Sequence, residues 1–151
     1  MKDEQTRELL QNGTTGVLGL IGDEGYPYTV PVNYVLCDDK ILFHGAKSGH
    51  KYDSIRRCDK ASFCLVADDE IVPEKLTDAY RSVIVFGWVR ELTDPAERDA
   101  AARLLGLRFY QDPAFVDEEI RKSQASLACF ELKIEHMTGK VGLELLRKDE
   151  S

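Results

Sequence analysis

The sequence predicts an α+β fold, mainly β, in which about six antiparallel strands form a closed or partly open barrel with helices tucked between them. Three observations predict it. Short runs rich in β-branched and aromatic residues recur along the chain. Asp23-Glu24-Gly25 and Asp38-Asp39-Lys40 join the first of these runs by tight turns. Helix-start signals such as Asp94-Pro95 fall between the later runs.

Taken in order, residues 3–11 read as a short helix with Asp3 as N-cap, ended by Asn12-Gly13. GVLGLIG (16–22) and YPYTVPVNYVL (26–36) then form a hairpin around Asp23-Glu24-Gly25. Pro27 and Pro31 make the second run an edge, bulged or bent strand rather than a central one, because proline cannot donate to a ladder. ILFHGA (41–46) completes a meander. SGHKYDSIRRC (48–58) is a helix capped by Ser48. ASFCLVA (61–67) is a strand with Phe63 and Leu65 on one face. Residues 68–79 carry Asp68, Asp69, Glu70, Glu74 and Asp78 around Pro73, the composition of a solvated loop. RSVIVFGWVREL (81–92) is the longest strand candidate, with Gly87 marking a bulge or close backbone approach. The helix after Asp94-Pro95 is expected to bury Ala100, Leu104, Leu107 and Tyr110. A short helix follows Pro113, and 126–140 alternates as a final strand.

Composition bounds the function. The 151 residues fit one domain, 1–151, large enough to bury a core. Twenty Lys and Arg against 27 Asp and Glu give a net charge of −7, which excludes a dedicated nucleic-acid binder. No apolar run approaches the roughly 20 residues of a membrane span. The charged start MKDEQTRELL is no signal peptide, so a cytoplasmic location is expected. Cys37, Cys58, Cys64 and Cys129 form no CxxC and read as reduced structural thiols. His44, His50 and His136 are too dispersed to propose a metal site. Gly16, Gly19, Gly22 and Gly25 recur within strand and turn, a sign of close strand packing rather than a phosphate loop.

One stretch breaks the acidic average. Residues 44–60 hold Lys47, Lys51, Arg56, Arg57 and Lys60 against Asp53 and Asp59, a net of +3, leaving −10 on the other 134 residues. It begins where a strand turns through Gly45 and Gly49 into a helix. Free N–H groups and the helix dipole favour an anion there, and Lys51 in the first turn adds a point charge. Arg56, Arg57 and Lys60 read better as the solvated face of an amphipathic helix. Bottom-up, these residues reach a phosphate-bearing ligand in a small barrel.

The segments DEGYPYTVPVNYVLCDDKILFHGAKSGHKYDSIRR, YRSVIVFGWVREL and IEHMTGK, in this order and spacing, resemble the nitroimidazole-resistance branch of the pyridoxamine 5′-phosphate oxidase-like FMN-binding split barrels. The resemblance runs from about residue 6 to 146. It implies a six-stranded antiparallel split barrel, paired as a homodimer with FMN in clefts between the subunits. By similarity, Val32, Asn33 and Tyr34 flank the isoalloxazine, largely through backbone. His44, Gly45 and Ala46 line the flavin, while His50 and Lys51 approach its phosphate. Ser82 and Val83 match positions that reach the cofactor across the dimer, and Thr138 and Lys140 belong to the closing motif. His44 matches the active-site histidine of nitroimidazole-reductase-like members, where a neutral imidazole suits a proton relay beside the flavin.

The implied activity is FMN-dependent reduction of a small organic acceptor, a nitroimidazole or other nitroaromatic compound. A second expectation is a flavin-binding or redox-sensing module without turnover, since no nicotinamide fingerprint is present. A third places haem or a deazaflavin in the cleft. The chain departs from the pyridoxamine phosphate oxidases proper at its end. There VGLELLRKDES has one arginine in place of a longer Arg- and His-rich substrate motif, which argues against vitamin B6 oxidation.

Overall fold

In the computed structural model, which describes residues 1–149, one strongly curled antiparallel sheet forms a half-barrel of seven strands in the order β2-β1-β5-β6-β7-β4-β3. The strands are β1 (Thr15–Ile21), β2 (Pro27–Asn33), β3 (Val35–Cys37), β4 (Lys40–Ala46), β5 (Lys60–Val72), β6 (Thr77–Glu91) and β7 (Leu127–Val141). Helices α1 (Asp3–Asn12), α2 (His50–Arg57), α3 (Pro95–Phe109), α4 (Pro113–Lys122) and α5 (Leu143–Asp149) flank it. Residues 150 and 151, the end of the VGLELLRKDES stretch, lie outside the described residues. No helix among the described residues is long and apolar enough to cross a membrane.

The seventh strand comes from a run expected to be one bent strand. Residues 26–36 break at Tyr34: Pro27–Asn33 pairs with β1, and Val35–Cys37 pairs with β4 at the opposite end of the strand order. The chain therefore leaves one sheet edge and joins the other within two residues, which curls the sheet back on itself. Tyr34 is the pivot. Its ring is fully buried, edge-on to Phe63 at 4.9 Å, and its hydroxyl donates to the Leu10 carbonyl at 2.6 Å. Burial pushes the phenol up to about 12, so the hydroxyl stays a donor at any physiological pH. Both prolines fall on the edge strand β2, where a missing N–H costs least.

Alternation along the strands fills the barrel. Ile41 and Phe43 of β4, Phe63 and Leu65 of β5, Val83 and Val85 of β6, and Phe130 and Leu132 of β7 are buried. Phe43 stacks on Phe130 at 5.1 Å. Gly16 lets the Phe63 ring lie against β1; a Cβ there would fall 2.0 Å from the ring. The helix α2 adds Ile55 to this core. On the other side of β4 and β7, Leu42 and Cys129 meet Leu92, Ala101, Ala102 and Leu105 in a second cluster under α3. Gly87 sits at the register shift between β6 and β7, and a Cβ on it would lie 1.9 Å from the Lys133 carbonyl oxygen.

Four local expectations are corrected. Asp3 is the first helical residue, not the cap; Gln5 accepts from the Lys2 amide at 3.2 Å instead. Gly49, at φ 107°, precedes α2 in place of Ser48, because a left-handed entry suits glycine alone. The acidic stretch 68–79 is not an open loop. It extends β5 and β6 into a hairpin arm, with Arg81 donating to Asp68 at 2.9 Å. The helix after Asp94 forms as expected, with the Asp94 carboxylate accepting from Glu97 N at 3.1 Å, but its buried face is Arg98, Ala101, Ala102 and Leu105. Leu104 and Tyr110 are exposed. That buried face lies about one residue, roughly 100°, round the helix from the expected one, and Arg98 on it binds Asp99 and Gln124.

Candidate flavin site

The residues expected around a flavin separate into two groups. Asn33, His44, Gly45, Ala46, His50 and Lys51 gather where β2, β4 and α2 meet. Ser82, Thr138 and Lys140 lie on β6 and β7, paired across the ladder as Ser82↔Lys140 and Ile84↔Thr138. His44 pairs with Cys129 near the start of β7, eleven residues from Lys140 and roughly 35 Å away along the strand. One protomer does not bring the two groups together.

Within the first group, strand parity decides which side chains are available. Phe43 points into the barrel, so His44 points outward, on the face where Leu42 meets α3. Val32 and Tyr34 are buried core residues, as is Val83 on β6, so only their backbones can face a ligand. Asn33 is exposed between Val32 and Tyr34, and its Oδ1 accepts from the Thr15 hydroxyl at 2.8 Å.

At the start of α2 no side chain caps the helix, and the Gly49 carbonyl accepts only from Asp53 N at 3.0 Å. The first-turn amides are thus free to meet an anion. Lys51 bends back over β4 and donates to the His44 carbonyl at 3.4 Å. A Cβ on Gly45 would fall 2.8 Å from its Nζ, so the missing side chain makes the space in which this ammonium lies. Partial burial lowers the Lys51 pKa. The His44 pKa is also lowered, by burial first and by the Lys51 charge second, so its imidazole is neutral at pH 7.

The two arginines of the basic stretch, and His50, are engaged elsewhere. Arg57 pairs with Asp23 on the β1–β2 turn, and His50 Nδ1 lies 3.7 Å from the same carboxylate, with its ring edge-on to Tyr28 at 4.3 Å. Arg56 lies over the Tyr52 ring and donates to its hydroxyl at 3.1 Å. These partners bear out the amphipathic-face reading for Arg56 and Arg57, and leave Lys51 as the cation turned toward β4. The uncapped amides, the vacant Cβ position at Gly45 and the Lys51 ammonium fit the phosphate end of a flavin. Among the described residues, no group of three His, Cys, Asp or Glu side chains could hold a metal ion.

His44 and Asn33 border a cleft of about 350 Å³ whose other wall is α3 and α4, including Phe109, Tyr110 and Phe115. These aromatic residues have no counterpart among the sequence-level site candidates. Tyr110 reads there as core, and the signal was an aromatic cluster on either side of the Asp112-Pro113 helix break.

Comparisons with known proteins agree with this architecture. Residues 2–141 match the family described as pyridoxamine 5′-phosphate oxidase. None of the curated proteins matches the chain. A conserved hypothetical protein of Mycobacterium tuberculosis is similar in structure, with a TM-score of 0.76 at 20% identity over 93% of this chain and 85% of that one. A candidate 5-nitroimidazole antibiotic resistance protein of Bacteroides thetaiotaomicron gives 0.75 at 19% identity, over 93% and 84%. An FAD- and haem-binding protein of Mycobacterium smegmatis gives 0.71 at 19% identity, over 94% and 72%. At these identities the likeness concerns the fold.

Proposed function

We propose that this chain, which belongs to the pyridoxamine 5′-phosphate oxidase family, is an FMN-dependent oxidoreductase that reduces a small organic acceptor of the nitroimidazole or nitroaromatic class. The observation that carries the reading is the junction of β4 and α2. There an uncapped helix start and the folded-back Lys51 meet the main chain of His44, whose outward-facing ring borders the cleft under α3 and α4. A bound flavin would supply the electron transfer. The first-turn amides of α2 and Lys51 would hold its phosphate, and the backbone of 32–34 and 44–46 would flank its ring system. His44, neutral at pH 7, has one ring N–H and one bare ring nitrogen, so it can relay a proton to an acceptor in the cleft by taking one from water as it donates the other.

The working unit in this reading is a homodimer. Its support is the outer face of β1, β5 and β6, where Val17, Val66 and Phe86 are exposed beside Cys64 and Ile84. A contiguous apolar face of this kind marks an interaction surface. Ser82, Thr138 and Lys140 share it, so a second copy seated there offers the group that a single protomer holds apart from His44.

The test is the absorption spectrum and released-cofactor mass of the purified protein, followed by rapid mixing of its reduced form with a nitroimidazole. The expected result is bound FMN and reoxidation faster than free reduced FMN. A colourless protein that cannot be reconstituted overturns the proposal, and reoxidation no faster than free FMN reduces it to flavin binding alone.

A further inference from the structure

We propose that the cleft between His44 and the α3–α4 pair is the acceptor site, and that Tyr110 and Phe115 select flat, uncharged ring compounds bearing a hydrogen-bond-accepting oxygen. The inference rests on the flavin reading above and adds the residues and chemistry that choose the substrate.

Large aromatic side chains are costly to leave in water unless something covers them. Tyr110 is 57% exposed and Phe115 48% exposed, and both line the cleft. They are not a closed pair. Their centroids stand 5.9 Å apart and the ring planes are tilted by 54°, which leaves ring faces open to a third ring. Behind them Leu105, Val116 and Ile120 supply an apolar floor. Helix geometry holds the rings in place: Tyr110 follows directly on α3, and Phe115 stands in the first turn of α4, after Asp112 caps that helix through Ala114 N at 3.0 Å.

Polarity is confined to the barrel side and one rim. Across the cleft from the rings stand Asn33, whose amide has N–H donors, and His44, whose neutral ring has one. Both are suited to an oxygen acceptor on the ligand. The cleft lining contains no Lys or Arg, and its one carboxylate, Glu119, lies 3.6 Å from the Lys122 ammonium. The Ser123 hydroxyl is spent on the Glu119 carbonyl at 2.7 Å. An anionic ligand would therefore meet a carboxylate and no counter-charge, whereas a neutral ring would meet aromatic faces and two donors.

The experiment is equilibrium titration of the flavin-loaded protein with menadione and with 2-naphthoate, two flat two-ring compounds that differ in charge. Menadione should bind at least about tenfold more tightly. Tyr110→Ala and Phe115→Ala should each weaken menadione by about tenfold with flavin content unchanged, while Tyr110→Phe keeps the affinity. Equal affinity for the two ligands, or menadione affinity unchanged in both alanine variants, overturns the inference. So does loss of flavin in those variants, which would make the cleft the bed of the flavin ring. A wild-type protein that takes up no flavin yet binds menadione through these two rings would overturn the flavin reading and uphold the site.

Discussion

The Lys51 ammonium donates to the His44 main-chain carbonyl at 3.4 Å, lying over Gly45 where a side chain would otherwise stand. One cation is thereby shared between the start of a helix and the strand that carries the candidate proton donor. Because the two are close, the charge of Lys51 reaches the ring of His44, and anything that removes or neutralises it is felt there.

The first consequence is in titration. The folded His44 pKa lies below 6.5, so the unfolded chain binds its proton more readily than the folded one. Its contribution to stability is present in full above pH 6.5 and is lost as the pH falls through 6.5 toward the folded value. Acidification in that range should lower the unfolding midpoint, and His44→Gln should remove that part of the slope. In Lys51→Gln, the imidazole shift followed by NMR should move up toward 6.5 but stay below it, since burial is the larger cause. An unmoved titration would mean the Lys51 charge does not reach the ring.

Gly45→Ala separates the position of Lys51 from its charge. The new methyl would stand 2.8 Å from Nζ, the free end of a flexible side chain, so the ammonium moves rather than the strand. Stability should change by less than about 1 kcal/mol in denaturant unfolding, while FMN affinity falls by about tenfold. Undiminished FMN affinity would show that the resting place of Lys51 over β4 is irrelevant to binding.

Gly87→Ala tests the frame instead of the site. Its methyl would lie 1.9 Å from a backbone carbonyl oxygen, which cannot swing aside without opening the β6–β7 ladder. A loss of about 3 kcal/mol is expected. A near-wild-type unfolding midpoint would contradict the close approach.

Phe86→Glu addresses the second copy. Phe86 is 48% exposed and only its outer face is altered, so the protomer should stay folded. Sedimentation should show the dimer shifting to monomer, and bound FMN should fall with it, because Ser82 and Lys140 would no longer be presented from the partner. A monomeric variant that keeps its flavin would place the whole site within one chain.

Much of this was legible in the sequence, for physical reasons that also explain the misses. Pro27 and Pro31 announced an edge strand, and Asp94-Pro95 announced a helix start, because each depends on local backbone chemistry. The break at Tyr34 was not legible. Nothing local distinguishes one bent strand from two strands whose partners, β1 and β4, come from distant parts of the fold. The arm from Asp68 to Asp78 was hidden because backbone pairing there needs no apolar face, and periodicity detects only apolar faces. In the site, the basic stretch singled out Lys51 as a phosphate candidate, and the structure sets it against the His44 carbonyl, but charge counting could not know that Asp23, on another hairpin, engages Arg57. Tyr110 was misjudged for a similar reason. On the buried face of α3, Arg98 reaches Gln124, just past the end of α4, a contact that lies outside any single helix pattern.

In the proposed function, the start of α2 and Lys51 hold the phosphate of a flavin. The most direct test compares FMN with riboflavin, which lacks that phosphate, in the wild-type protein and in Lys51→Ala. Wild type is expected to bind FMN at least about a hundredfold more tightly than riboflavin, the worth of two or more charge-assisted hydrogen bonds. In Lys51→Ala that gap should shrink by about tenfold through weaker FMN binding, with riboflavin affinity unchanged. Equal affinity for the two flavins in wild type, or an identical gap in the variant, would contradict it.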